Sequence, residues 1–234
     1  MINKIDFAKI RSSESYREVF RKKNPLVTVC IPTFNQSSLL LNRSLRSVLN
    51  QTYKNLEIIV IGDCCTDNTE EVVTSINDRR ILFENLSERG NYPSEPHLRW
   101  LVAGSVPSNR ALELASGDFI THLDDDDEYM PERIESLVNF AQRKRADFIF
   151  HPFLWEKESD QWLINEIKEL RLGSITTSSI FYHKWFRKIH WDPNCYLLGE
   201  PGDWNRVQRI KSLGIRAKRY PFVLTKHYQE GVEN

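Results

Sequence analysis

The chain has 234 residues, 40% hydrophobic and 27% charged, which suits one large domain, or one domain with an extension, and argues against global disorder. Lys plus Arg equal Asp plus Glu at 32 each, so net charge supplies no general attraction to nucleic acid. No apolar run reaches the about 18 residues of a transmembrane helix, and the opening "MINKIDFAKIRSSE" lacks a signal-peptide core. The four cysteines, Cys30, Cys64, Cys65 and Cys195, form no Cys-x-x-Cys pair. They read as reduced thiols, so a cytoplasmic location is expected.

Residues 1–24 are charged, rich in helix formers and end in Arg21-Lys22-Lys23. A helical arm packed on the domain is the simpler reading. Attachment to an anionic membrane surface, at the inner face of the membrane, is the sharper one. From Pro25 the pattern changes. "LVTVCIP" (26–32) is a short β-branched run of the kind expected in a buried parallel strand. Leu41, Leu45, Val48 and Leu49 then mark an amphipathic helix. "LEIIVIGD" (56–63) is a second strand, and Asp67 before Glu70 signals the start of another helix. "RILFEN" (80–85) is a third strand, "SNRALELASGD" a helix and "DFITHLD" (118–124) a fourth strand. Strands alternating with helices imply β-α-β units and a mostly parallel sheet.

The stretch 87–107, with two Gly and three Pro, is expected to be an irregular loop. Beyond the acidic run, Pro131 suits a first helical turn, followed by Ile134, Leu137, Val138 and Ala141. Later strand-like segments and a helix from Asp203 to Gly214 give the second half an α+β flavour. The expected organisation is a helical extension (1–24), a first half (25–140) and a smaller second half (141–234) of the same domain.

Three polar stretches fall after strands, where open parallel sheets bind ligands: "PTFNQ", "GDCCTDN" and "DDDDE". The last is costly, because adjacent carboxylates raise one another's pKa. A solvated turn leaves that density unexplained. A calcium loop fits Asp124, Asp126, Glu128 and Glu135 at positions 1, 3, 5 and 12, but Tyr129 occupies the position that requires glycine. A hard cation, Mn²⁺ or Mg²⁺, shared between Asp124, Asp126 and a diphosphate fits best.

"VTVCIPTFNQSSLLLNRSLRSVLNQTYKNLEIIVIGDCCTDNT", followed by "SNRALELASGDFITHLDDDDEYMPERI", resembles the nucleotide-sugar-binding half of family 2 glycosyltransferases. The resemblance covers residues 26 to about 140 in order. It implies the GT-A fold: an α/β, Rossmann-like, mostly parallel sheet flanked by helices, with a smaller α+β acceptor-side half. It implies transfer of a sugar from a nucleotide diphosphate, with inversion, to a glycan or lipid-linked acceptor.

On this resemblance, Pro32, Thr33, Phe34 and Asn35 line the base and ribose, and Asp63 accepts a hydrogen bond from uracil in members using UDP-sugars. Asn109 and Ala111 lie near the sugar and diphosphate. Ser108 stands where many members carry arginine, with Arg110 or Arg99 as substitutes. Asp124 and Asp125 fall on the nucleotide side. Asp124, Asp126 and the late His227 are the implied metal residues. Asp203 is the implied general base, in "GEPGDWNRVQRI", with Glu200 as the other candidate. Asp203 as a helix cap is the plainer reading. Trp185, Trp191 and Trp204 are candidates for stacking on an acceptor sugar, and His122 reads as structural. Two alternatives stand beside the transferase: a sugar-phosphate nucleotidyltransferase, whose glycine-rich loop "PTFNQSS" lacks, and an inactive nucleotide-sugar or carbohydrate-binding module.

Overall fold

The computed structural model describes residues 3–159, 161–166 and 168–229. Residues 1–2 of the expected extension, and Asp160, Ile167 and residues 230–234 of the expected second half, lie outside the described residues.

The arm folds as helices α1 (Lys4–Ser12) and α2 (Glu14–Glu18) and a 3₁₀ turn, Val19–Arg21. Asn3 and Ser13 accept the free N–H groups at the two helix starts. Phe7, Tyr16, Val19 and Phe20 are buried in the same apolar cluster as the sheet. Of the basic run, Arg21 pairs with Glu14, and Lys22 binds Asp118 at 2.7 Å.

Strand β1 (Val27–Thr33) is followed by α3 (Ser37–Leu39), a π-helical turn (Leu40–Leu45) and α4 (Arg46–Leu49). Next come β2 (Leu56–Gly62), α5 (Thr69–Thr74), β3 (Ile81–Asn85), α6 (Pro96–Val102), α7 (Ser105–Leu114) and β4 (Phe119–His122). Then follow β5 (Glu128–Tyr129), α8 (Arg133–Lys144), β6 (Phe148–Phe150), β7 (Phe153–Glu158), β8 (Gln161–Asn165), β9 (Ile180–His183), α9 (Gly202–Lys211), β10 (Ala217–Arg219) and β11 (Thr225–His227). The main sheet has the order β10-β6-β9-β4-β1-β2-β3, in which β9 runs antiparallel to both its neighbours. A second sheet, β5-β11-β7-β8, stands beside it.

Helices on both faces explain why β1 and β2 are mostly apolar, with Thr28, Thr33 and Glu57 as the polar exceptions. Val27, Val29, Ile31 and Ile58 to Ile61 are all buried. Each such side chain contributes about 1.5–3 kcal/mol relative to exposure. The chain steps from β1 to β2 and β3 on one side, then returns to β4 on the other side of β1. The direction of winding therefore reverses at the carboxyl ends of β1 and β4, where a crevice forms.

The expected loop at 87–107 is corrected by the structure: Pro96 occupies the first position of α6, and Ser105 already begins α7. Residues 87–95 remain irregular, but Pro96 starts a helix and Pro107 sits in the first turn of the next. Gly104, at φ +76°, makes the turn between the two helices. Asp67 accepts from the backbone N–H and hydroxyl of Thr69 at 3.1 and 2.5 Å, securing the start of α5.

Candidate active site

A cleft of about 930 Å³ opens at the carboxyl ends of β1, β2 and β4 and is closed on its far side by the second sheet and the start of α9. Pro32, Thr33, Phe34, Asp63, Asp124, Asp125, Asp126, Asp203 and His227 all line it. They come from five separate segments of the chain, so the fold brings together most of the residues singled out by sequence.

The acidic turn is organised by partners of different kinds. Asp125 accepts from the Thr33 hydroxyl (2.7 Å) and the Phe34 N–H (3.4 Å), which ties it to the end of β1. Asp124 takes the Ser178 hydroxyl at 3.4 Å. Asp127 is fully buried and faces His227 Nδ1 at 3.0 Å. Glu128 accepts from Lys226 (2.9 Å) and the Tyr228 hydroxyl (2.8 Å). Asp126 differs: among the described residues its carboxylate accepts no hydrogen bond from another side chain. Its backbone carbonyl is held instead, by Arg43 at 2.7 Å.

Burial raises these carboxyls, and the neighbouring aspartates raise them further. Asp126 is pushed up to about 7, Asp125 to about 6, and Asp124 well above the usual carboxylate range. Burial works against a charged His227, but the hydrogen bond and charge of Asp127, with Asp124 and Asp126, outweigh it and carry His227 up to about 9. Hard oxygen donors under mutual repulsion suit a divalent cation, which would neutralise them. Among the described residues no cluster of three or more His, Cys, Asp or Glu is placed to hold a metal alone. Two carboxylates therefore need oxygen atoms from elsewhere, such as a diphosphate, to complete a coordination sphere.

On the base side, Asp63 is buried and accepts from the Gly90 N–H at 2.9 Å. Arg89 lies over the Phe34 ring, its guanidinium carbon 3.5 Å from the centroid, and both side chains line the cleft. Asp203 sits in the first turn of α9, after Pro201, so it is inside the helix and not its cap. Burial raises its pKa to about 6, against the hydrogen bond it accepts from the Trp204 N–H at 2.6 Å.

Three expected site residues face elsewhere. Asn35, at φ +52°, accepts from the Thr66 and Asp67 N–H groups and links the loops after β1 and β2. Asn109 exchanges two hydrogen bonds with the backbone of Trp191. Glu200 accepts from Asn205 and Gln208, both at 2.9 Å, so it braces α9 and does not line the cleft. The expected arginine substitutes are also engaged: Arg110 pairs with Glu84 and Glu113, and Arg99 donates to the Ser94 carbonyl. Trp191 and Trp204 line the cleft, whereas Trp185 packs against Phe7 and Phe186. His122 is buried on the Tyr182 hydroxyl at 2.7 Å. All four cysteines are free thiols.

Two positions beside the site escaped the sequence. Arg43 carries the acidic turn and stacks 3.5 Å from the centroid of Tyr228, and Arg89 stacks on Phe34. Both look like ordinary solvated cations in one dimension. The π turn that swings Arg43 inward is itself a feature common at functional sites.

Comparison with known proteins agrees with this geometry. The model of the glycosyl transferase family 2 matches residues 28–94 and 99–196, well over half of the chain. The chain is 32% identical over 139 residues to a putative colanic acid biosynthesis glycosyl transferase, WcaA, of Escherichia coli, covering 58% of this chain and 44% of the relative. It is 37% identical over 139 residues to the GalNAc(5)-diNAcBac-PP-undecaprenol beta-1,3-glucosyltransferase of Campylobacter jejuni, covering 58% of this chain and 40% of that protein. The chain thus spans less than half the length of these curated relatives. Among solved structures, S. aureus TarS in complex with UDP superposes with a TM-score of 0.66 at 18% identity, over 87% of this chain and 60% of that one. The mannosyltransferase PcManGT of Pyrobaculum calidifontis, in complex with GDP-Man and Mn²⁺, superposes with a TM-score of 0.60 at 18% identity, over 90% of this chain and 62% of that one. With its GT-A-like sheet and the acidic turn at the end of β4, the chain belongs to glycosyl transferase family 2.

Proposed function

We propose that this protein transfers a sugar, with inversion, from a nucleotide diphosphate donor of the UDP-sugar type to a hydroxyl of a glycan or lipid-linked saccharide. The observation that carries this reading is one cleft with Asp126 on one side, its carboxylate meeting no other side chain among the described residues, and Asp203 on the other, held by the Trp204 N–H. The relative from C. jejuni is named for an undecaprenol-linked acceptor, and TarS has been solved with UDP, which supports both halves of the proposal.

Phe34 and Arg89 form a stacking surface for the base, with Asp63 as its hydrogen-bond acceptor. Asp124 and Asp126 would hold Mn²⁺ or Mg²⁺ together with the diphosphate, and the cation would supply charge neutralisation for the departing phosphate. Asp203 accepts the proton of the acceptor hydroxyl as its oxygen bonds to the anomeric carbon. The bond from that carbon to the diphosphate oxygen breaks, and its electron pair leaves with the nucleotide. A raised carboxyl near 6 is a better base than an ordinary aspartate while still ionised at neutral pH. Trp191 and Trp204 offer faces for the acceptor. A lipid-linked acceptor would put the protein at the cytoplasmic face of the membrane as a peripheral enzyme.

Asp203→Asn tests the assignment. Transfer from a UDP-sugar should fall by about a hundredfold to ten-thousandfold in kcat, with nucleotide affinity unchanged. Unchanged turnover removes Asp203 from the chemistry. Retained nucleotide binding with no transfer in the wild type, for any donor and acceptor tried, favours the binding module.

A further inference from the structure

The arm encloses a second cavity, of about 430 Å³, that shares no residue with the cleft. Its walls include Arg11, Arg17 and Arg21 from the arm, Arg145 from the end of α8, and Arg216 from just before β10. Strand β6 runs parallel to β4, because both are antiparallel to β9, and β10 is parallel to β6. Asp147 and Arg216 precede β6 and β10, so this cavity lies at the amino ends of those strands, whereas the cleft lies at carboxyl ends.

Five guanidinium groups face one lining carboxylate, Glu14, which pairs with Arg21. Below them Asp147 is fully buried, accepting from Arg216 at 2.9 Å, Arg11 at 3.4 Å and the Tyr16 hydroxyl at 2.9 Å. That carboxylate fixes two guanidinium groups as a preformed floor. Arg17 and Arg145 are exposed, and their side chains make no hydrogen bond or ion pair among the described residues. Arg145 also holds a left-handed backbone, φ +47°, at a helix end where glycine or asparagine is the easier occupant. Asp147 and Glu14 together offset only part of the charge of five arginines, and Arg17 and Arg145 are left unpaired among the described residues, one of them on a left-handed backbone.

We propose that this pocket binds a phosphate-bearing anion. Arg11 and Arg216, oriented by Asp147, offer the N–H groups that Asp147 leaves over, and Arg17 and Arg145 add two unengaged guanidinium groups at the cavity wall. The shared chemistry is the phosphate group. Its source is either a soluble phosphorylated molecule or the headgroup of an anionic lipid.

The test measures binding of inorganic pyrophosphate by calorimetry, in chelator to silence metal-dependent binding in the cleft. In parallel, vesicles of phosphatidylcholine alone are compared with vesicles that also contain phosphatidylglycerol, by co-sedimentation. Wild type, Asp126→Asn, the double variant Arg17→Gln/Arg145→Gln, and Arg145→Gly are compared. Pyrophosphate binding that weakens at least about tenfold in the double variant but persists in Asp126→Asn supports the pocket with a soluble ligand. Binding only to phosphatidylglycerol vesicles, lost in the same double variant, supports it with a lipid headgroup. Arg145→Gly should weaken either binding while raising Tm, because it relieves the left-handed backbone, and this separates lost contact from lost fold. Binding of neither probe, or equal binding by wild type and double variant, overturns the proposal. So does loss of pyrophosphate binding in Asp126→Asn alone, which would put the ligand in the cleft.

Discussion

Among the described residues the Asp126 carboxylate meets no other side chain and Asp203 accepts only from the Trp204 N–H, whereas Asp124 and Asp125 are bonded by Ser178 and Thr33. Asp125, Asp127 and Glu128 are each engaged by a neighbour from a distant strand or segment, and so are spent on structure. Their role is to hold the turn so that Asp126 stays free. Burial raises both the Asp126 and the Asp203 carboxyls toward neutrality. Asp203 must be ionised to accept a proton, so transfer should rise with pH and level off above its value of about 6. A kcat profile that is flat across that region would mean another group is the base. Asp126 is raised to about 7, so protons compete with a cation there. The stabilisation of the fold by Mn²⁺ plus UDP should therefore be larger at about pH 8 than at about pH 5, as read by thermal unfolding. Equal stabilisation at both would show that no cation meets these carboxylates.

At the scale of elements, the acidic turn depends on supports placed beneath and behind it. Arg133, the first residue of α8, is fully buried and lies 3.8 Å from the centroid of Tyr129. It donates to the carbonyls of Ser178 and Ile180 and to His151, which fixes the 3₁₀ segment whose Ser178 meets Asp124. Replacing Arg133 by Met leaves two buried carbonyls without this donor, and unfolding free energy should drop by about 3 kcal/mol. A loss below about 1 kcal/mol by denaturant titration would show that the Thr225 and Thr121 hydroxyls, which also bond those carbonyls, suffice without Arg133. Arg43 acts from the opposite side, so Arg43→Gln should weaken nucleotide binding with little change in Tm.

The elements also show what the sequence could and could not announce. Buried parallel strands are continuous apolar runs, so β1, β2 and the approach to β4 were legible, and Asp124 and Asp126 stood out because charge density is a local property. Asn35, Asn109 and Glu200, expected at the site, lie outside the cleft lining for the opposite reason. Each lies beside a site segment in the chain, but its partner, at Thr66, Trp191 or Asn205, is set by how the segments turn, and a short polar side chain takes the nearest donor or acceptor. α6 hid behind Pro and Gly, which mark helix starts as often as loops.

For the whole molecule, the arm is part of the core and not an accessory. Phe7 packs on Trp185 and Phe186, and Tyr16 stacks on His183 with ring centroids 3.7 Å apart. Phe7→Ala should lower stability by about 3–5 kcal/mol. A change near zero would show the arm to be loosely docked. The arm's cavity lies at the amino ends of β6 and β10 and the cleft at the carboxyl ends of β1, β2 and β4, so both cavities hang on one sheet.

A donor site built on the acidic turn is tested most directly by thermal unfolding with UDP, with and without Mn²⁺, on the wild type and on Asp126→Asn. At a hundred times its Kd a ligand stabilises a fold by about 2.7 kcal/mol, so the signal is measurable. The expected result is stabilisation of the wild type by UDP and Mn²⁺ together, and its loss in Asp126→Asn. Stabilisation by Ca²⁺ alone, with no response to any nucleotide, would contradict it.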